Sequence, residues 1–454
     1  MLTYQDFERS DDPKSFISDL ISSHESSEIV KMAHIADDYD AQRNRTINEY
    51  VQKIYTSSGL PVQNYIASNN KIASNFFQRL NTQRCTYSLG NGVTFSDEDT
   101  KKSLGENFDT RLKNAGYLAL IHGVCFVFYN LDQIYVFPVT EFAPLYDENS
   151  GALRAGVRYW SIDADKPMTI ELYEETGITK YRKNSNSAIA QIGEKRAYKT
   201  KMRQTAFDEQ PEIIGEENYL GFPIVPLWGS RLHQSTLVGM QQSIDSFDLI
   251  RSGFANDLQD CAQIYWLLEN YGGMDNAAID QFRDRMLLQH IAVADTKDGG
   301  KIQAHTQEVP YASRTAYLQQ IRAGIYEDFG GLDVSSISAS SRTATEINAA
   351  YQPLDENADD FEYQIIECVQ QILKLINIKD TPIFKRNRIS NQYEQVQMVM
   401  LEAPYLDDET ILSKLPNITP DEIPEIMDRK TNREQERFER TDEMTDDGAS
   451  GDEA

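Results

Sequence analysis

Cysteine is scarce: four in 454 residues, at positions 85, 125, 261 and 368. Such spacing excludes a disulfide framework and a zinc site, both of which need close or regular partners. These residues read instead as small buried hydrophobes. The six histidines (24, 34, 122, 233, 290 and 305) are equally scattered, and none has a metal-ligand spacing such as H-E-x-x-H. No metal or cofactor is expected. No apolar run approaches the ~18 residues of a membrane span, and the opening Met1-Leu2-Thr3-Tyr4-Gln5-Asp6-Phe7 is no signal peptide. The chain therefore reads as soluble, made to work in the cytoplasm and without a membrane partner. Positive charge is in deficit: 44 Lys+Arg stand against 71 Asp+Glu, a formal net charge of −27. A surface this negative repels phosphate and excludes tight coating of nucleic acid, although not weak contact with it. Phosphate-cradling loops, dinucleotide fingerprints and nucleophile elbows are all missing. His122 has no Ser or Cys partner with a third orienting group. An enzyme is not expected.

What remains is ample material for a core: 40% apolar residues and 10% aromatic, including 24 Tyr. The length suits about three domains or one composite one. Helix is expected over the first ~60 residues, with Asp12-Pro13 as a cap and Ser27–Ile54 carrying an apolar period. A second helical stretch is expected from Tyr65 to Leu80. Thr86–Phe95 reads as a bent strand around Gly90-Asn91-Gly92. From Leu118 to about Arg182 the pattern is β, with Met168, Ile170 and Leu172 alternating against polar neighbours as on a sheet buried on one face. Residues 184–218 are polar and read as a long loop.

A strong helix is expected from about Ser235, its stripe formed by Leu237, Met240, Ile244, Phe247, Phe254 and Leu258. A small insert follows: a strand at 264–268, a helix at 275–288, and a hairpin of Ile291–Ala294 with Lys301–Ala304 around Asp298-Gly299-Gly300. Another helix runs from about Ser313 to Phe329, with Leu318, Ile321 and Ile325 in register. The segment Gly330-Gly331-Leu332-Asp333-Val334-Ser335-Ser336-Ile337-Ser338-Ala339-Ser340-Ser341 reads as a mobile loop. Its hydroxyls and amides suit weak, exchangeable contacts with phosphate, and Asp333 opposes tight capture. Thr343 and Glu346 form a capping box for a long helix that Pro353 should break or kink. Short helices are expected over 391–430, and from Thr441 an acidic tail that is expected to be disordered. Asp37-Asp38-Tyr39-Asp40 and the acids Asp359, Asp360 and Glu362 read as polar helix faces, not as metal or acid–base sites.

In this order, the pieces resemble the portal (head-to-tail connector) proteins of tailed bacteriophages, of the type found in siphophages of Gram-positive hosts. The resemblance covers residues 25–430. It is carried by Asn64-Tyr65-Ile66-Ala67-Ser68-Asn69-Asn70-Lys71-Ile72, Tyr87-Ser88-Leu89-Gly90, Phe137-Pro138, Tyr146-Asp147-Glu148, Arg158-Tyr159-Trp160 and Gly221-Phe222-Pro223-Ile224-Val225-Pro226. Ser243-Ile244-Asp245-Ser246-Phe247-Asp248, Ala255-Asn256-Asp257 and Leu406-Asp407-Asp408-Glu409-Thr410-Ile411-Leu412-Ser413-Lys414-Leu415-Pro416 continue it.

The resemblance implies an α+β portal fold: a mixed wing at 1–234, a two-helix stem at 235–259 and 311–329, and a small α/β clip at 260–310. It further implies a tunnel loop at 330–342 facing a DNA channel, a long kinked helix with its following segment at 343–389, a helical crown at 390–430, and the tail at 431–454. Asp298, Gly299, Gly300 and Lys301 would lie on the clip, where motor and adaptor dock. Leu237, Met240, Ile244, Phe247, Phe254, Leu318 and Ile325 would pack the stem and its neighbouring subunits. The implied assembly is a ring of about twelve copies closed by heterologous contacts. Its implied partners are double-stranded DNA, the terminase large subunit, a head-completion adaptor, and the major capsid and scaffolding proteins. The chain would sit in the virion, at the capsid portal vertex, after assembly in the host bacterial cytoplasm. Two other classes stay open: another oligomeric virion structural protein, and an acidic cytoplasmic hydrolase with an unadvertised carboxylate site.

Overall fold

The computed structural model describes residues 2–55, 58–64, 68–163, 165–184, 188–203, 212–260, 265–269, 276–289, 301–305, 311–335, 344–388, 392–415, 418 and 423–431. The chain divides into two units, Met1–Asn387 and Arg388–Ala454.

The first unit is a mixed α and β body. Its helices begin with Tyr4–Glu8, Pro13–Glu25, Glu28–Asp40 and Arg45–Glu49. Pro13 stands at the first helical position, and the Asp12 carboxylate accepts from the Lys14 N–H at 3.1 Å, as the sequence predicts. The expected helix over 27–54 stops short. Its last residues belong to an exposed hairpin, Lys53–Tyr55 against Pro61–Gln63.

A five-stranded antiparallel sheet runs in the spatial order 190–196, 177–183, 168–174, 153–160, 142–146. One face takes Phe16, Ile17, Leu20 and Ile21 of helix Pro13–Glu25 onto Ala143, Leu145, Val157, Ile170 and Leu172. The other face presents Phe142 and Tyr173 to Phe126, Phe128 and Phe137 of a three-stranded sheet ordered 224–228, 124–130, 133–138. Each such side chain, fully buried, stabilises the fold by roughly 1.5–3 kcal/mol. Gly156, on the neighbouring strand of the same sheet, leaves room for the Phe142 ring, since a Cβ there would lie 2.2 Å from it. Both faces being covered, strand Met168–Glu174 departs from the simple alternation expected of it. Glu171 is buried between Ile170 and Leu172, and its carboxylate meets Lys180 Nζ at 2.8 Å and the Tyr173 hydroxyl at 2.7 Å.

Three further expectations are corrected. Thr86–Leu89 is not strand: it ends helix Phe76–Leu89, whose Leu80, Cys85 and Tyr87 are buried, and only Val93–Thr94 is extended. Residues 184–218 are not one loop, since strands Ala190–Arg196, Lys199–Arg203 and Glu212–Glu217 lie within them. Helix Ala344–Leu375 continues without a break through Pro353. The carbonyl freed by that proline belongs to Ala349, on an exposed turn where water can satisfy it. Beyond the proline, Phe361, Ile365, Cys368, Val369, Ile372 and Leu373 are buried against the three-stranded sheet and helix Phe108–His122, as the wide apolar face requires.

The second unit holds helices Gln392–Glu402 and Asp408–Lys414 and a helix at 423–431. Asp407 caps the second of these by accepting from the Thr410 N–H at 3.2 Å. The acidic tail from 432 lies outside the described residues. Among the described residues no helix is long and apolar enough to cross a membrane.

Candidate functional site

Two long helices, Gln241–Asp260 and Tyr311–Phe329, pack antiparallel. At one end Ile244 meets Ile325 and Phe329. At the other, Arg314 pairs with Asp257, and the rings of Phe254 and Tyr311 lie 5.7 Å apart. The first helix begins later than expected, because residues 235–240 form a turn. There the Ser235 hydroxyl accepts from the Leu237 N–H at 3.1 Å and donates to the Ile121 carbonyl.

The apolar stripe is only one of two on this helix. A second, polar stripe of Asp245, Asp248, Ser252, Asn256 and Gln259 repeats every three or four residues. It receives two distant parts of the chain. Asp245 accepts from the hydroxyls of Tyr39 at 2.5 Å and Thr46 at 2.7 Å. Asp248, fully buried, accepts from Asn44 and from the Ser74 N–H at 2.9 Å. The Ser252 hydroxyl accepts from the Ile72 N–H at 3.0 Å, and Asn256 accepts from the Asn70 N–H at 2.6 Å. Asn70 also donates to Gln259 at 2.9 Å. An extended stretch, 70–74, is thus fastened along the helix through its own backbone N–H groups. Burial raises the Asp248 carboxyl above the ordinary range, against the opposing hydrogen bonds from Asn44 and Ser74. Burial and the Asp245 hydrogen bond push Tyr39 up to about 12. In the sequence the apolar stripe stands out. The polar repeat was visible, but its partners lie some 180 residues away.

Where helix Tyr311–Phe329 ends, the chain makes a Schellman turn: the Gly330 N–H donates to Glu327 at 3.0 Å and the Gly331 N–H to Tyr326 at 2.8 Å. Gly330 has φ +63°, and a Cβ there would strike Asn357. The Phe329 carbonyl accepts from Arg84 at 3.0 Å and from Asn357 at 3.0 Å. Arg84 is only 7% exposed and lies over the Phe329 ring; burial lowers its pKa to about 10, partly offset by the charge of Asp360. Leu332 is buried among Tyr87, Tyr351, Leu354 and Ala358. Arg322 donates to Asp333 at 3.0 Å and to Ser335 at 2.8 Å, while Asp333 accepts from the Ser335 N–H at 3.1 Å. Val334 and Ser335 are already helical.

The expected loop is therefore corrected at its start. Gly330, Gly331, Leu332 and Asp333 form a fixed root, and Val334 and Ser335 begin a helical turn capped by Asp333. Ser336, Ile337, Ser338, Ala339, Ser340 and Ser341 lie outside the described residues, as does Thr343 of the expected capping box. Of the residues expected to pack stem and neighbours, Leu237, Met240, Ile244 and Ile325 are buried inside this one chain, against Ala36, Tyr39, Phe77 and Leu80. Their surface is covered before any neighbour arrives. Phe247, Phe254 and Leu318 are half-buried. Asp298, Gly299 and Gly300 lie outside the described residues. Lys301 opens strand Lys301–His305, which pairs antiparallel with Tyr265–Glu269, whereas the expected partner 291–294 lies outside the described residues.

The acids read as plain helix faces are engaged. Arg386 donates to Glu362 at 2.9 and 3.0 Å and to Asp355 at 3.1 Å, and also contacts Asp359. These bonds, Glu362 foremost, hold its pKa above the usual range. Asp360 accepts from the Arg231 N–H at 3.2 Å. Asp37 meets His122 Nε2 at 2.7 Å, and Asp38 pairs with Arg43 and Arg45. Among the described residues no group of three or more His, Cys, Asp or Glu side chains could hold a metal ion.

The family model described as "Phage portal protein, SPP1 Gp6-like" matches residues 20–447. The chain is 22% identical over 386 residues to the "Portal protein" of Clostridium phage phiCD119, covering 77% of this chain and 82% of that one. It is 22% identical over 438 residues to the "Portal protein" of Bacillus phage SPP1, covering 88% and 83% respectively. Among solved structures, "Neck of native GTA particle computed with C12 symmetry" aligns at a TM-score of 0.39 and 9% identity, over 76% of this chain and 88% of that one.

Proposed function

Because the chain belongs to the phage portal protein family, SPP1 Gp6-like, we propose that copies of it close into a ring at one capsid vertex and form the channel for packaging and ejecting duplex DNA. The portal role itself is structural, within the phage particle. In this reading the ring has about twelve copies joined by heterologous contacts, and the chain carries out no chemistry of its own. The helices Gln241–Asp260 and Tyr311–Phe329 are the stem, and 260–310 is the clip that docks the terminase large subunit and later the head-completion adaptor. Residues 1–234 and the long helix form the wing, and 390–430 the crown. The loop that leaves Gly330 faces the channel. Major capsid and scaffolding proteins are the partners during assembly in the host cytoplasm.

The observation that carries this reading is the extent of the family match, 20–447, which takes in both stem helices, the loop between them and the long helix, and the segments assigned to clip and crown. The charge supports it. A chain at −27 repels duplex phosphate, and a conduit works only if the polymer is not held. Deleting Ser336–Ser340, which leaves the buried Leu332 and the root at 330–333 in place, is the test. Rings should still assemble while DNA packaged per capsid falls to background; normal packaging by the deletion variant would remove the loop from the channel.

A further inference from the structure

We propose that Gln83, on helix Phe76–Leu89, is a positioning residue that sets the direction in which the chain leaves helix Tyr311–Phe329 for the loop. The proposal rests on the portal reading of that loop. The glycine turn reverses the chain at Gly330 but does not by itself fix the residue that follows the second glycine. Gln83 does so with one side chain. Its Oε1 accepts from the Leu332 N–H at 2.9 Å, and its Nε2 donates to the Leu332 carbonyl at 2.9 Å. Both backbone groups of one residue are held by a single amide, as a neighbouring strand would hold them. That fixes the two peptide planes flanking Leu332, which one hydrogen bond would leave free to turn.

The chemistry is specific to glutamine. A Glu could accept from the N–H but would set a carboxylate oxygen against the carbonyl, and an apolar side chain could make neither bond. The root also lies flat on the same helix, because a Cβ on Gly331 would come within 2.5 Å of Leu80 Cδ2. Arg84 and Asn357 hold the Phe329 carbonyl, upstream of the turn, and Arg322 contacts Asp333 downstream. Gln83 acts between them, on the residue where the exit direction is decided.

Hydrogen exchange on the assembled full-length chain tests this, paired with DNA content of filled capsids. Gln83→Ala should speed exchange of the Leu332 amide by about tenfold or more. Helix Phe76–Leu89 should stay protected, ring diameter should be unchanged, and packaged DNA should fall. Gln83→Met, which keeps the stem but makes neither bond, should reproduce both effects and guards against a variant that fails to fold. Gln83→Glu, which keeps the acceptor, should be intermediate in both. Unchanged exchange at Leu332, or normal packaging despite faster exchange, overturns the positioning role. A wild-type chain that forms no ring overturns the portal reading instead, and leaves the exchange result standing.

Discussion

The sheet package and helix Gln241–Asp260 are held by opposite means. Around the five-stranded sheet, apolar side chains meet on both faces: Ile17 and Leu20 on one side, Phe126 and Phe137 on the other. Along helix Gln241–Asp260, an extended segment and an N-terminal turn are fastened by polar side chains at Asp245, Asp248, Ser252 and Asn256. Burial without direction suits a body that has only to stay compact. Directional bonds fix register, because a slip of one residue leaves buried N–H groups without acceptors. Helix Gln241–Asp260 is held in one register by the second kind.

Removing an anchor from each region sharpens the contrast. Phe142→Ala empties the space between the two sheets and should cost about 3–5 kcal/mol in urea unfolding. Asp248→Ala leaves the Ser74 N–H without its acceptor and takes one of two acceptors from the Asn44 amide, which keeps the Ser74 carbonyl, and should cost about 1–3 kcal/mol. Its effect should be concentrated in faster amide exchange over 70–74. If Asp248→Ala were nearly neutral while 70–74 stayed protected, the seam would not be what holds that segment.

The smallest effect concerns pH in the sheet package. His24 is buried, and burial lowers its pKa below the ordinary 6.5, against the bond of 2.7 Å from its ring to the Val139 carbonyl. The unfolded chain then binds the proton more readily. Stability from this group is present above pH 6.5 and is lost as pH falls from there through the folded pKa, at no more than ~1.4 kcal/mol per unit. His24→Gln should flatten that slope. A slope unchanged in the variant would assign it to another group.

Much of the fold was legible where burial is one-sided and continuous. The stripe of Ile365, Cys368, Ile372 and their neighbours, the aromatic strand Val124–Asn130 and the Asp12-Pro13 cap all follow from local pattern. Thr86–Leu89 misled because Tyr and Thr favour strands, whereas here the helix is completed by tertiary contacts: the Tyr87 ring stacks on Tyr351. Pro353 does not end its helix, because the carbonyl it frees, that of Ala349, is exposed. The candidate site was half legible. Glycine at 330 and 331 marked the end of a helix, but Gln83, Arg84 and Asn357 carry no local sign of a role, since their partners lie far away in the chain. Parts of three of the phrases that carried the family resemblance, Asn64–Ile72, Ser243–Asp248 and Ala255–Asp257, form the two sides of one seam.

The central claim is that this chain closes into a hollow ring. Sedimentation of the purified full-length chain, with electron microscopy of the same sample, tests it most directly. The account predicts a species of roughly twelve chain masses with an open central hole wide enough for duplex DNA. Solitary chains across the whole accessible concentration range, or a closed particle without a hole, would contradict it.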